Sequence, residues 1–292
     1  MIPNLIEIYC FIENFTKKVD TFFSKTAVGR KPTLTGAEYL TILLIKQYYK
    51  IQNTKQLYEL LKLTPGNGFS ELPSYQQFCR GIESVFVYVV PLMKLLSRLN
   101  LVKDKNQEFI VDSTKLPVCK IINASKCRKT NKNASYGKTI EGWFFGYKLH
   151  LIVTTTMDII SFKITTGAVA DITALTSTFT DKITGVLIGD KGYLSQKKTK
   201  ELLLKDLLLV TRQRKNMKSK PASSNLIKLL KKRSRIETVF GQLKDNYLLI
   251  NTKCRSIFTY FVHVFTSMIA YTLDRKIDLS LLDLHIDSLL IS

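Results

Sequence analysis

Acidic residues are few in this chain: 23 Asp and Glu stand against 44 Lys and Arg in 292 residues, a formal charge of +21. Self-repulsion of that size is hard to explain unless a polyanion neutralises it, with nucleic acid ahead of an anionic membrane surface. Histidine is scarcer still, and His150, His263 and His285 have no ligand spacing. The five cysteines (Cys10, Cys79, Cys119, Cys127 and Cys254) are scattered, odd in number and form no CxxC. This argues against a disulfide framework or a structural zinc site, and reduced thiols are expected. Uninterrupted apolar runs fall short of about 18 residues, so no membrane span is expected. The opening MIPNLIEIYCFIENF lacks a basic n-region and carries glutamates inside its apolar stretch, unlike a signal peptide. Internal repeats and low-complexity tracts are missing too.

What is present is enough for folding. Hydrophobic residues make up 45% of the chain, which excludes wholesale disorder, and its length allows one large domain or two smaller ones. The basic excess is uneven. Residues 191–235 hold fifteen Lys or Arg against Glu201 and Asp206, whereas residues 1–100 hold twelve against seven.

The first hundred residues read as helical. Thr35 or Thr33 can cap a helix over 37–49, Asn53 a second over 54–61, and Pro73 opens a third through Tyr75, Phe78 and Ile82. A fourth runs from Val85 to Leu99. Short helices with tight turns suit a helix-turn-helix-like DNA-binding unit and a plain helical bundle equally well. The pattern then changes. Residues 108–112 form a short apolar run ending in Asp112. Residues 144–154 alternate and are rich in aromatic and β-branched types, as a strand should be, and 159–165 return after a turn at Met157-Asp158. A helix is expected over 172–182, a strand over 186–190 ending in Asp190, a helix near 196–204 and a strand over 207–211. Residues 131–137 and 212–224 read as basic loops. Three antiparallel strands followed by helix-strand-helix-strand-helix describe an α/β fold, a ribonuclease H-like mixed sheet flanked by helices behind an all-helical N-terminal region. Ligands gather at the carboxyl ends of strands in such sheets, where Asp112 and Asp190 stand.

The last helix is the most informative. At about 100° per residue, Ile236, Val239, Phe240 and Leu243 make one apolar stripe. Arg233, Glu237 and Lys244 fall within roughly 40° of one another along its border. One acid is thus flanked by two cations beside the buried face. With Asp112 and Asp190 it makes three carboxylates, the donor set that magnesium prefers.

These residues carry a resemblance. Val111-Asp-Ser-Thr114, Gly142-Trp-Phe-Phe-Gly-Tyr-Lys-Leu-His150, Gly189-Asp-Lys-Gly-Tyr193, Arg214-Lys-Asn-Met-Lys218 and Arg233-x3-Glu237-x2-Phe240-x2-Leu-Lys244 resemble a bacterial insertion-sequence transposase of the DDE type. The insertion sequence 982 family is the nearest in pattern. The likeness covers about 104–272 and is weaker in the N-terminal helices. It implies that Asp112, Asp190 and Glu237 are catalytic and bind two Mg2+ or Mn2+ ions. It implies DNA contacts from Arg233, Lys244, Lys191, Tyr193, Arg212, Arg214, Lys215 and Lys218. Arg233 and Lys244 can equally well hold Glu237 in place. Trp143, Phe144 and Phe145 fit either stacking on an unpaired base or the sheet core. His150, in phase with Lys148 on its strand, fits a structural or phosphate-facing role better than metal ligation.

The expected domains are therefore 1–100, helical and DNA-binding; 104–275, the ribonuclease H-like catalytic domain; and 276–292, a C-terminal tail. The expected activity is cleavage at the ends of an insertion sequence and joining of the freed 3′-hydroxyl to target DNA. The partners would be double-stranded DNA and further copies of the chain, at least a dimer, with no membrane and no small-molecule substrate. The setting would be the bacterial cytoplasm, at the nucleoid. Two other readings fit the same residues: a DNA-binding protein that has lost catalysis, and a nuclease of the same fold that cuts without joining.

Overall fold

The computed structural model describes residues 5–22, 32–63, 71–128, 132–212, 224–254 and 256–275. These divide into two compact units, residues 1–96 with 242–292, and residues 97–241. Among the described residues no single helix is long and apolar enough to cross a membrane.

The first unit is helical: α1 (Leu5–Phe22), α2 (Gly36–Tyr48), α3 (Thr54–Leu63), α4 (Tyr75–Ser84), the start of α5 (Phe86–Lys103), and α11 (Ile257–Asp274). Its starts are chemically specified. Thr35 and Glu38 close a capping box on α2, with Glu38 N–H donating to Thr35 Oγ1 at 3.2 Å. Ser74 and Gln77 do the same for α4, one residue after the proline expected to open it. Asn53 Oδ1 accepts from Lys55 N–H at 2.9 Å ahead of α3. Helix α2 is buried on nearly every side, packed between α1 and α11, which is why its sequence shows no clean polar face. Its burial includes Lys46 and Gln47. Lys46 Nζ and Gln47 Nε2 each lie 3.2 Å from His263 Nδ1 on α11. Nε2 of that ring lies on the Leu248 carbonyl.

The second unit is built on one mixed sheet: β1 (Glu108–Cys119), β2 (Ser135–Thr139), β3 (Gly142–Thr154), β4 (Ile159–Thr166), β5 (Gly185–Gly189) and β6 (Leu207–Thr211). Helices α6 (Ala124–Arg128), α7 (Asp171–Ala174), α8 (Gln196–Leu203), α9 (Ser224–Lys231) and the start of α10 (Ser234–Asn246) connect or flank these strands. The order is β2-β3-β1-β5-β6, with β4 also on β3. Strands β2, β3, β4 and β1 pair antiparallel, while β1-β5 and β5-β6 are parallel. Phe109, Val111, Ile152, Phe179, Leu187 and Leu207 lie in the core of this unit. The mixed sheet flanked by helices is the expected architecture.

Three elements depart from the sequence reading. Strand β1 runs seven residues past Asp112, because Ser113 to Cys119 find partners along β3. Pro117 cannot donate to a ladder and sits at the register shift opposite Gly146. Ser135–Thr139 is an edge strand where a loop was expected; five residues with Ser, Gly and Lys carry too little β signal, and only pairing with β3 orders them. The helix expected over 172–182 is a single turn, Asp171–Ala174. Beyond it Thr180 Oγ1 donates to the Thr176 carbonyl at 3.2 Å and Thr176 meets Thr178 at 3.1 Å. Such local hydroxyl bonds compete with helix propagation.

Candidate active site

The parallel ladder between β1 and β5 ends at the pair Val111↔Gly189. The next residue on each strand is an aspartate, so Asp112 and Asp190 emerge side by side from adjacent parallel strands. Gly189 packs closely there: a Cβ on it would lie 3.1 Å from the Tyr193 Cβ, a tight contact that Tyr193 would have to shift to relieve. Tyr193, at the end of the Lys191–Tyr193 turn, is 1% exposed, and Asp171, Asp112 and Asp190 lie close enough to act on its hydroxyl.

Helix α10 brings Glu237 in. Its stripe Ile236, Val239, Phe240 and Leu243 is buried as the pattern predicts. Cations fix its start against the sheet: Lys232 pairs with Glu108 at the start of β1, and an Arg235 guanidinium N–H donates to the Thr155 carbonyl after β3. Between them, Arg233 donates to Asp112 Oδ2 at 3.3 Å and to Glu237 Oε1 at 2.6 Å. One guanidinium thus bridges two of the three expected acids. Lys232 and Arg235 were not singled out in the sequence, since their carboxylate and carbonyl partners lie about 80 to 120 residues away.

A fourth acid was missed altogether. Asp171, at the start of α7, accepts from Ser113 Oγ at 2.9 Å and from Lys148 Nζ at 3.1 Å, both on Oδ1. It raises the pKa of Asp112. Burial pushes the Asp112 carboxyl up to about 6; the Ser113 N–H and Arg233 partly offset this, and Asp190 and Asp171 add to it. The Tyr193 hydroxyl is raised by burial and by Asp171, Asp112 and Asp190 together, and among the described residues it has no hydrogen-bond partner. No sequence motif marks Asp171 because it sits in a segment that reads as an ordinary helix start. The phase of Lys148 on β3 was the available signal.

The remaining candidates are dispersed. Lys191 is exposed beside Asp190, Arg212 is exposed after β6, and Lys244 is half-buried two turns beyond Glu237 on α10. Arg214, Lys215 and Lys218 lie outside the described residues. His150 is fully buried; its Nε2 is 2.8 Å from Thr165 Oγ1, and burial lowers its pKa to about 4. Phe144 and Phe145 are buried, whereas Trp143 is exposed.

The donor set is carboxylate oxygen throughout, the chemistry of hard divalent cations. A desolvated Asp112 with two further aspartates acting on it is short of positive charge, and the residues fit such an ion in that sense. Among the described residues no three acid, histidine or cysteine side chains are gathered into a ready cage. The Arg233 guanidinium lies between two of the acids.

No curated protein matches the chain in sequence. A solved piggyBac transposase synaptic complex with hairpin DNA is similar in fold at a TM-score of 0.51 and 9% identity, covering 99% of this chain and 77% of that one. A model of the transposase DDE domain family matches residues 103–257, more than half of the chain and the whole stretch from β1 through Glu237. The chain belongs to the transposase DDE domain family.

Proposed function

We propose that this transposase is a bacterial insertion-sequence enzyme of the insertion sequence 982 type, acting on nucleoid DNA in the cytoplasm. Asp112, Asp190 and Glu237 are its catalytic carboxylates and hold two Mg2+ or Mn2+ ions. Bound there, such ions supply charge stabilisation for the attacking and leaving oxygens of an in-line displacement. Water attacks the phosphodiester at the element's end; its oxygen bonds to phosphorus and the departing 3′-oxygen takes a proton. The freed 3′-hydroxyl then bonds to a target phosphorus, and a target 3′-oxygen leaves.

The chain's own residues position these events. Arg233, shared by Asp112 and Glu237, holds the two side chains together, and turns to a phosphate when DNA arrives. Lys148 and Ser113 fix Asp171 beside them. Lys191, Arg212, Arg214, Lys215, Lys218 and Lys244 belong to the DNA-binding set, the exposed cations through phosphates, whereas Tyr193, expected as a DNA contact, is buried and serves by packing. Residues 1–100 are the DNA-end reader, 104–275 the catalytic domain and 276–292 a tail. Two copies pair two ends.

The observation that carries the proposal is the register Val111↔Gly189, which sets Asp112 and Asp190 on neighbouring strand ends, with α10 cross-linked to one of them through Arg233. The test is incubation with Mg2+ and DNA bearing the inverted repeats that flank the gene. Nicked ends and joined products are expected. Strand joining by an Asp190→Asn variant would sink the site assignment, and nicking without joining would leave a nuclease.

A further inference from the structure

Tryptophan carries more apolar surface than any other side chain and is usually mostly buried. This chain has one, and it is 61% exposed. Trp143 lies in the β2-β3 hairpin at the sheet edge, just after Gly142, whose φ of +113° favours glycine. Its cross-strand partner is Lys138, whose Nζ lies 5.6 Å from the ring centroid.

Alternation along the strands puts Tyr136, Lys138, Trp143 and Phe145 on one face. The strip starts in the core at Phe145, continues to the Tyr136 ring with centroids 5.1 Å apart, and ends at Trp143. Ile140 in the turn is fully exposed. The stretch of chain that holds it is basic: residues 115–143 contain seven Lys or Arg against one acid, Glu141, which is itself paired with Lys115. An open aromatic face with Lys138 beside its ring, in a basic stretch of the chain, matches a flat π-surface that carries a phosphate. Bases inside a duplex hide their faces against one another and offer only edges. A base out of the stack offers its face.

We propose that the Trp143 hairpin is a binding site for an unpaired nucleobase of DNA, with the indole stacking on the base and Lys138 meeting its phosphate. This rests on the reading that the chain acts on DNA. Phe144 and Phe145 are core residues and take no part. The hairpin lies outside the acid cluster, so the site holds a strand rather than reacting with it.

The lone tryptophan makes the test direct, since all indole emission comes from this site. Full-length protein carrying Asp112→Asn, without divalent ions, is titrated with a blunt duplex and with the same duplex bearing a short run of unpaired thymines. Strong quenching by the second DNA and little by the first is expected. Trp143→Ala should weaken binding of the thymine-bearing duplex about tenfold or more and leave the blunt duplex unchanged, with Trp143→Phe close to wild type. Equal losses on both DNAs would make the hairpin a duplex contact. Altered sedimentation of the free protein, with DNA binding intact, would make it a subunit contact. Either overturns the proposal, as does tight binding with unchanged emission. Failure to bind any DNA at low salt would remove the DNA reading and the proposal together. Quenching by unpaired thymines in a protein that cuts nothing under Mg2+ would leave the hairpin standing and remove only the catalytic reading.

Discussion

The two compact units each turn charge inward, and they partner it differently. In the sheet unit, acids are matched by cations reaching in from elsewhere: Asp112 and Glu237 by Arg233, Asp171 by Lys148, Glu108 by Lys232. In the helical unit, Lys46 is 4% exposed, and among the described residues no carboxylate pairs with it. Its ammonium rests on the His263 imidazole and Cys254 stands nearby; burial lowers it to about 8, with Cys254 opposing. Burial and Lys46 together lower His263 to about 3. The matched site holds its carboxylates in ion pairs that can exchange, because a guanidinium can yield to another cation. The unmatched one only costs stability. Charge arranged for chemistry is therefore told apart by its partners, not by its burial.

The sharpest test of that contrast is Glu237→Gln, which keeps shape and removes charge. Cleavage should fall by about 10³-fold or more, with DNA affinity in filter binding changed less than about twofold. If nicking survives, the matched charges are structural after all. Asp171→Asn should lower cleavage by about 10- to 100-fold, as loss of an outer carboxylate does, with folding retained by circular dichroism. An unaffected rate would confine Asp171 to holding Lys148. Arg233→Gln should destabilise the protein by about 1.5–3 kcal/mol in urea, and the loss should shrink when Asp112 is already Asn.

Lys46→Met is predicted to do the reverse and stabilise by about 1–2 kcal/mol at pH 7, since a buried cation without a carboxylate is replaced by an apolar chain. The pH dependence fixes the sign. Between about pH 8 and pH 10.5 the unfolded chain holds the Lys46 proton and the folded one does not, so wild-type stability should rise across that window. The variant should lose that rise; a rise that persists would assign it to another group. The smallest effect is Lys191→Ala, a few-fold loss of DNA affinity with the salt slope reduced by about one unit.

Much of the carboxylate placement was legible because its signals are local. Asp112 and Asp190 each follow a short apolar run, and the α10 stripe places Glu237 against the buried face from spacing alone. The capping residues Thr35 and Asn53 were readable for the same reason. What escaped depends on distant partners. Strand β2 exists because β3 offers it a ladder, β1 outruns Asp112 for that reason too, and the threonines at 176, 178 and 180 undo a helix through bonds that no periodicity records.

The sequence by itself determined the basic surface, the helical start, the strand-ending aspartates and the charged border of α10, since these follow from composition and from periods of two and 3.6 residues. Only the tertiary structure decided that Arg233 bridges Asp112 and Glu237, that Asp171 joins the acids, and that of three adjacent aromatic residues only Trp143 faces outward. Pairing register and packing set those outcomes, and they act between residues that the chain holds far apart.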